Sequence, residues 1–478
     1  MKSIPIHIVL YATVVALFLA IIGDTLLTTG LFMDGLIYAD VANNMAHGIG
    51  SFWHPSYTLT QFPEFYEHPP LAMGLLSVFF RVFGDGIWVV RLYSMLMTVL
   101  TALLMLQIWH QLGYELKMGW LPLLFWTLIP AVTLNSHENM LECTMAVFVL
   151  ASALEILRGK WWRMLIAGLL LYCAFLTKGF TGLYPLALPW ILCLTRRRDH
   201  AFTRSFAHAA YKATRDTLLI LIALFGAFWL TCWFSSDAWH FFNTYFNNQV
   251  VEGINDDQVS NHFYIVKKFL EETVILWVLV IAGIVVEIKR CKGNPYAEPK
   301  LPQLPMSLLV LCGVLPIMIS GKQRSFYILT VYPFLAVAVA ASVNNLCERM
   351  CEKASKASKG VRIGLCCLSA GLIVFAIIHN VSYCGKPGRD IAMQEDLKVI
   401  APMLEEDELV SVSPEDFGNY SLQGYYWQAK RISITPVVGQ THLLTADSKY
   451  VANAGLDSLY AEVPIETKEY RLYRRIIE

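Results

Sequence analysis

The chain has 478 residues, 56% hydrophobic and 15% charged, with a mean hydropathy of +0.49; an ordinary soluble domain carries about 25% charged residues, so a soluble globular protein is excluded. Lys+Arg and Asp+Glu are equal at 37 each, which leaves no basic excess for nucleic acid and no acidic solvating excess, and makes any charge asymmetry local. The 11 cysteines lie mostly in apolar runs without a C-x-x-C and form neither a zinc signature nor a disulfide framework.

A transmembrane helix needs about 20 mostly apolar residues, because lipid offers no partner to an open backbone. Eleven runs qualify, near 8–28, 89–109, 118–136, 139–157, 164–178, 180–194, 217–234, 269–288, 306–320, 326–344 and 362–381. The fifth, sixth and ninth are short, so the count ranges from ten to thirteen. The first is too long for a signal peptide and lacks a small-residue cleavage site, so it reads as a retained span. Basic residues concentrate in alternate loops: Arg158, Lys160 and Arg163; Arg196, Arg197, Arg198, Arg204, Lys212 and Arg215; Lys289, Arg290, Lys292 and Lys300; Arg349, Lys353, Lys356, Lys359 and Arg362. These loops are expected in the cytoplasm.

With the N-terminus inside, three outward segments remain, 33–88, 235–268 and 382–478. The expected fold class is an all-α polytopic membrane domain over 1–381, holding the first two outward loops, followed by a small exported soluble α/β domain over 382–478. Strand-like runs there include 409–412 and 431–434, and Cys384 is its one cysteine, which rules out a disulfide within it.

The first outward loop runs through Asp34, Tyr38 and Asp40 in a short helical stretch to Met45. A Trp/His/Pro-rich turn then leads to Glu67-His68-Pro69-Pro70. The apolar stretch 71–83, stopped by Gly84-Asp85-Gly86, predicts an amphipathic helix lying on the membrane surface. Asp34 at a helix start suits an N-cap as well as chemistry. Isolated charges at apolar helix ends on the outward side (Arg81, Lys178, Lys267, Lys268, Lys322, Arg324) are candidates for function, with snorkelling to the interface the plainer alternative.

Four blocks resemble the membrane glycosyltransferases of the protein O-mannosyltransferase superfamily and, within it, the lipid A aminoarabinose transferases, which share the GT-C fold. They are Asp34, Tyr38 and Glu67-His68-Pro69; Leu141-Glu142; Thr177-Lys178-Gly179-Phe180; and Gly321 to Leu329. The resemblance covers roughly 8–345. The chain departs from the pattern at His68, where the family has Lys, at Ile37 in place of Arg, and at Glu142 in place of Asp.

The resemblance implies a monosaccharide donor linked through phosphate to a polyprenol and an acceptor hydroxyl at the extracytoplasmic face of the plasma (inner) membrane. The acceptor is a lipid A-like glycolipid, a protein or a surface glycan. Such transfer needs a base for the acceptor proton, here Asp34, and fixed cations for the departing phosphate, here Lys178, Arg324, Lys322 and a protonated His68, with Tyr327 as a further donor. An imidazolium at His68 would make phosphate binding weaken as pH rises. Glu67, Tyr38, Glu142, His137 and Glu138 are assigned to the donor sugar or acceptor. No cofactor is required; a divalent metal at His137, Glu138 and Glu142 is a minor alternative to helix capping. Asn247, Asn248, Gln249, Asp256 and Asp257 of the second outward segment read as an acceptor-side lid. Nucleic acid is not an expected partner, and no Gly-rich phosphate loop points to a nucleotide. The competing reading is a secondary transporter, suggested by many spans and an acid, Asp24, within the first.

Overall fold

A computed structural model of the chain describes residues 5–195, 202–251, 262–291, 304–355 and 359–476. Asp256 and Asp257 of the expected lid, and Arg196, Arg197, Arg198, Lys292, Lys300 and Lys356 of the basic loops, lie outside those residues.

Helical structure falls on each of the eleven apolar runs. In chain order the helices are α1 (Ile6–Ile21), α2 (Met33–Ala46), α3 (Leu71–Phe83), α4 (Ile87–Gln111), α5 (Trp120–Thr127), α6 (Pro130–Asn135), α7 (Leu141–Arg158), α8 (Trp161–Lys178), α9 (Leu188–Leu194), α10 (Phe202–Phe234), α11 (Ser236–Tyr245), α12 (Tyr264–Cys291), α13 (Leu304–Val314), α14 (Tyr332–Ser355) and α15 (Lys359–Ser382). Among the described residues, five stretches are long and apolar enough to cross a membrane: Ile87–Gln111, Trp161–Gly182, Phe206–Phe234, Ser325–Ala354 and Ile363–Ser382. On α10, Ile222, Phe225, Trp229 and Trp233 form an exposed apolar stripe at helical spacing, as a lipid-facing surface requires. The chain is an integral membrane protein.

Proline breaks several of the other runs. Ile129 is extended ahead of Pro130 (φ −88°, ψ 115°), which splits 118–136 into α5 and α6. Pro185 lies in a 3₁₀ turn, Tyr184–Ala187, before α9, and Pro316 lies in the 3₁₀ segment Leu315–Ile319 after α13. Because α1 stops at Ile21, Asp24 is exposed in the turn beyond it. The acid that favoured a transporter is therefore outside the first helix.

The contacts divide the chain into two compact units, one drawn from 1–26, 67–72 and 94–382, the other from 27–66, 73–93 and 383–478. In the first, α7 turns into α8 through Gly159 (φ 73°), and α8 meets α10 at Gly168, where a Cβ would lie 2.3 Å from the Ile220 carbonyl oxygen. Only glycine permits that approach.

The second unit is built around a five-stranded sheet, β1 (Leu409–Val412), β2 (Ser433–Thr435), β3 (His442–Thr445), β4 (Tyr460–Glu462) and β5 (Arg471–Arg475), in the order β2-β1-β3-β5-β4. β1 pairs in parallel with β2 (Leu409 opposite Ser433) and β3 (Ser411 opposite Leu443), and β5 pairs antiparallel with β3 and β4. Helices α16 (Ile391–Ile400), α17 (Pro414–Phe417), α18 (Tyr420–Lys430) and α19 (Tyr450–Asn453) accompany it. β2 starts two residues later than the run 431–434 suggests, because Arg431 (φ 54°) is the left-handed C-cap of α18. Asp396 of α16 accepts the backbone N–H groups of Lys468, Glu469 and Tyr470 at 2.6–2.8 Å, fixing the approach to β5.

Most of the loop expected to face outward, 33–66 and 73–88, belongs to this same unit. Asn44 of α2 donates to the carbonyls of Ser56 and Tyr57 and accepts from the Trp427 indole at 2.8 Å. Tyr57 donates to the Tyr420 carbonyl at 2.7 Å, and Thr60 to that of Ile434 at 2.7 Å. The stretch 71–83 is helical, as expected, forming α3 with Val78, Val82 and Phe83 exposed, and it ends at Gly84 (φ 82°).

Candidate functional site

The C-terminal end of α8 collects five of the residues singled out from the sequence: Lys178, Glu142, Tyr327, His68 and Lys322. The Thr177 hydroxyl bonds back to the Cys173 carbonyl at 2.9 Å, and the helix stops at Gly179, whose φ of 71° and ψ of −142° are open to glycine alone among ordinary residues. A Cβ at Gly179 would lie 2.1 Å from the Tyr245 hydroxyl. The Thr-Lys-Gly-Phe run is thus a helix stop that accepts α11 at close range and leaves Lys178 as the last helical residue.

Lys178 is 5% exposed and donates to Oε1 of Glu142, which is fully buried in the first turn of α7. The Lys178 ammonium also lies 4.6 Å from the Tyr327 ring centroid and 5.3 Å from that of Phe326. Two aromatic faces and one carboxylate therefore hold this cation in place. Sequence reasoning gave Glu142 to the sugar or acceptor and Tyr327 to the phosphate through its hydroxyl. The geometry gives Glu142, and the ring of Tyr327, to Lys178.

His68 lies within electrostatic reach of Lys178 and Lys322. Desolvation pushes its imidazole well below the usual range, and the two ammonium charges push it further the same way. The ring is neutral near pH 7, which corrects the expectation of a phosphate-binding imidazolium; a neutral ring still offers one N–H donor.

Lys322 and Arg324 flank Gln323, which the sequence reading passed over. Gln323 is 3% exposed: its carbonyl accepts from the Ile265 N–H at 2.9 Å, and its amide donates to the carbonyls of His262 and Ser320 at 3.2 Å each. Ser320 adds a bond to the Lys322 carbonyl at 2.9 Å. A buried glutamine between two basic residues pins the loop to the start of α12. The alternation of Lys, Gln and Arg was the available signal, since Arg324 is extended (φ −130°, ψ 145°) and exposed.

Glu67 accepts from Gln249 at 2.6 Å, so the π-helical stretch Phe246–Val251 reaches the Glu-His-Pro turn. Beneath that stretch, Phe175, Phe180, Phe228, Phe242 and Phe246 pack with ring centroids 4.9–6.4 Å apart. His137 and Glu138 are buried side by side, with Nε2 3.3 Å from Oε1. With Glu142 on Lys178, the trio expected as an alternative metal site does not converge, and among the described residues no three His, Cys, Asp or Glu side chains are grouped to hold a metal ion.

In the second unit, Asp34 is half-buried in the first turn of α2, where its charge suits the helix dipole. The N-cap is Phe32, one residue short of the helix, so the capping role suggested for Asp34 is not the one it holds. Tyr38 is buried with its ring edge-on to Phe65 at 6.4 Å. Asp40 is 1% exposed and accepts from Gln428 at 2.6 Å; desolvation raises its carboxyl well above the usual range.

Residues 67–225 match the family model described as dolichyl-phosphate-mannose-protein mannosyltransferase. Comparison with curated protein sequences finds no match. In structure, the chain is similar to ArnT from Cupriavidus metallidurans bound to undecaprenyl phosphate, with a TM-score of 0.65 and 16% identity over 98% of each chain. Apo ArnT from the same organism gives 0.64 and 16% over 98% of this chain and 97% of that one. The fold is GT-C, as in ArnT. AglB from Archaeoglobus fulgidus, in complex with an inhibitory peptide and a dolichol-phosphate, is also similar, with a TM-score of 0.50 and 12% identity over 95% of this chain and 72% of that one. Within this GT-C chain the family match takes in Glu67, His68, His137, Glu138, Glu142 and Lys178; Asp34, Tyr38 and the Gly321–Leu329 block fall outside it.

Proposed function

We propose that the chain is a glycosyltransferase that moves a monosaccharide from a polyprenyl-phosphate donor to an acceptor hydroxyl of a lipid, protein or glycan at the extracytoplasmic face. The observation that carries this reading is the buried cation at the end of α8: Lys178 held by Glu142 and two rings, with His68 and Lys322 in electrostatic reach. The GT-C relative ArnT binds undecaprenyl phosphate, which supports the same donor class here.

In the proposed step the acceptor oxygen attacks the anomeric carbon as its proton passes to the Asp34 carboxylate. The bond from that carbon to the phosphate oxygen breaks, and polyprenyl phosphate leaves with the electron pair, so its charge rises from one to two. Lys178, Lys322 and Arg324 stabilise that added charge, and the neutral His68 donates a hydrogen bond. Glu67, braced by Gln249, contacts the sugar. Glu142 and Tyr327 act through Lys178 as positioning residues, while His137, Glu138 and Tyr38 shape the sugar and acceptor surroundings. No resident cofactor enters this step.

The test is donor consumption by the purified full chain in lipid, from a radiolabelled polyprenyl-phosphate sugar pool, for wild type, Asp34→Asn and Lys178→Ala. Wild type consumes donor, Asp34→Asn binds donor without turnover, and Lys178→Ala loses both. Unchanged turnover in Asp34→Asn removes it as the base. No consumption by wild type from any pool overturns the transferase.

A further inference from the structure

At the other end of α8 from Lys178, 18 residues and about 27 Å away along the helix axis, a pocket of about 480 Å³ opens beside the α7–α8 turn. Lys160, His208, Lys212 and Arg215 line it together with Trp161 and Trp162. We infer that this pocket binds the phosphodiester headgroup of an anionic glycerophospholipid, in the leaflet opposite the proposed donor site.

The charges there are not evenly committed. Arg158 and Arg163 both bond Glu155, and Arg215 bonds Asp216. Lys160 and Lys212 have no carboxylate partner among the described residues. They also sit where a cation is least favoured: Lys160 is the N-cap of α8, makes no side-chain cap, and so adds its charge to the positive end of an 18-residue helix. Lys212 lies over the same turn, its ammonium 3.7 Å from the position of a Cβ on Gly159. An anion would satisfy the helix end and both lysines at once.

The surroundings select a lipid anion over a free one. Trp161 and Trp162 are both exposed and open the apolar stretch Trp161–Gly182, and indole rings are enriched where such a stretch meets the membrane interface. α10 spans 33 residues, about 50 Å, longer than the roughly 30 Å hydrocarbon layer. Its first turns therefore extend past the membrane edge, carrying His208, Lys212 and Arg215 back over the headgroup level. Retention of cytoplasmic loops asks only for basic residues near span ends. It does not ask that residues from two helices converge on one aromatic-walled pocket, which is the arrangement of a headgroup site.

The test uses the full chain, delipidated in mild detergent and titrated with phosphatidylglycerol, phosphatidylcholine or glycerol phosphate, with bound lipid read by native mass spectrometry. Phosphatidylglycerol is retained by wild type and phosphatidylcholine is not. A basic contact at a lipid surface is worth about fivefold in affinity, so Lys160→Gln with Lys212→Gln weakens phosphatidylglycerol about thirtyfold. Both lysines are exposed, so the variant folds; Lys353→Gln, an exposed basic residue outside the pocket, leaves binding unchanged. Equal retention of phosphatidylcholine, or undiminished phosphatidylglycerol binding by the double variant, overturns the site. Displacement of phosphatidylglycerol by equimolar glycerol phosphate overturns the lipid assignment. This readout is independent of sugar transfer.

Discussion

Removing either member of the Glu142–Lys178 pair leaves the other charge buried. Glu142 is fully buried and Lys178 nearly so, and two unit charges about 4 Å apart in a medium of effective dielectric about 20 attract by about 4 kcal/mol. Breaking such a pair from one side costs about 3–5 kcal/mol, whereas replacing both charges with uncharged groups of similar volume is often near neutral. Glu142→Gln and Lys178→Met are therefore each expected to lower stability by that amount, and the double variant to recover most of it. Activity behaves differently. Donor consumption is lost in Lys178→Met and stays lost in the double variant, because the cation that meets the phosphate is gone. Glu142→Gln keeps the lysine but strips its counter-charge, so donor consumption falls by at least tenfold. The assay pairs thermal inactivation in detergent at a fixed heating rate with donor consumption in lipid, since membrane proteins commonly unfold irreversibly. Additive losses of stability in the double variant would refute the coupling. Recovered turnover would refute the role of Lys178.

Three further outcomes are expected. Because the His68 pKa is lowered, the unfolded chain takes up the proton first and native stability falls as pH drops below about 6.5; His68→Gln removes that fall, and donor binding measured between about pH 7 and 8.5 shows no step in either protein. Gly179→Ala forces a methyl against the Tyr245 hydroxyl and is expected to cost about 1–3 kcal/mol plus backbone strain of about 1–3 kcal/mol in a φ/ψ region open only to glycine. Adding Tyr245→Phe returns part of the stability loss, seen as a rise in inactivation temperature over the single variant. Asp40→Asn tests the opposite sign: a carboxyl whose folded pKa is raised loses native stability as pH climbs from about 4 toward that raised value. The amide, still able to accept from Gln428, therefore raises the inactivation temperature at pH 7 and leaves turnover intact, in contrast to Asp34→Asn.

Much of the frame was legible in the residues because bilayer spans and their ends are written locally. Apolar runs and the glycine stop at Gly84 each act within a few positions; the breaks at Pro130, Pro185 and Pro316 are as local, yet the runs containing them read as continuous spans. Lys178 was legible for the same reason, as a charge at the end of an apolar helix. Its partner was not: Glu142 lies 36 positions earlier on the preceding helix, and a glutamate opening a helix looks equally fit for a sugar hydroxyl. Gln323 escaped notice because the alternation that signals its burial is only three residues long and its flanking charges draw the reading to themselves. The neutrality of His68 rests first on desolvation and then on Lys178 and Lys322, 110 and 254 positions away, and no local pattern encodes burial or charge that arrives from such distance. Asp40 and Asp34 differ for a similar reason, since it is Gln428 that closes over one of them.

The partners of the first outward loop set a schedule for the whole chain. Asp40, Asn44, Tyr57 and Thr60 bond to residues 363–388 positions further on, so the loop must wait for nearly the last segment to be made. At about 5–20 residues per second of synthesis, that delay is roughly 20–80 s, during which the Asn44 side-chain carbonyl and the Asp40 carboxylate have only water or passing partners. A ribosome that stops short of Tyr420 delivers a protein whose spans are all present but whose opening loop has no means of closing, and a quality-control protease has that interval in which to recognise it.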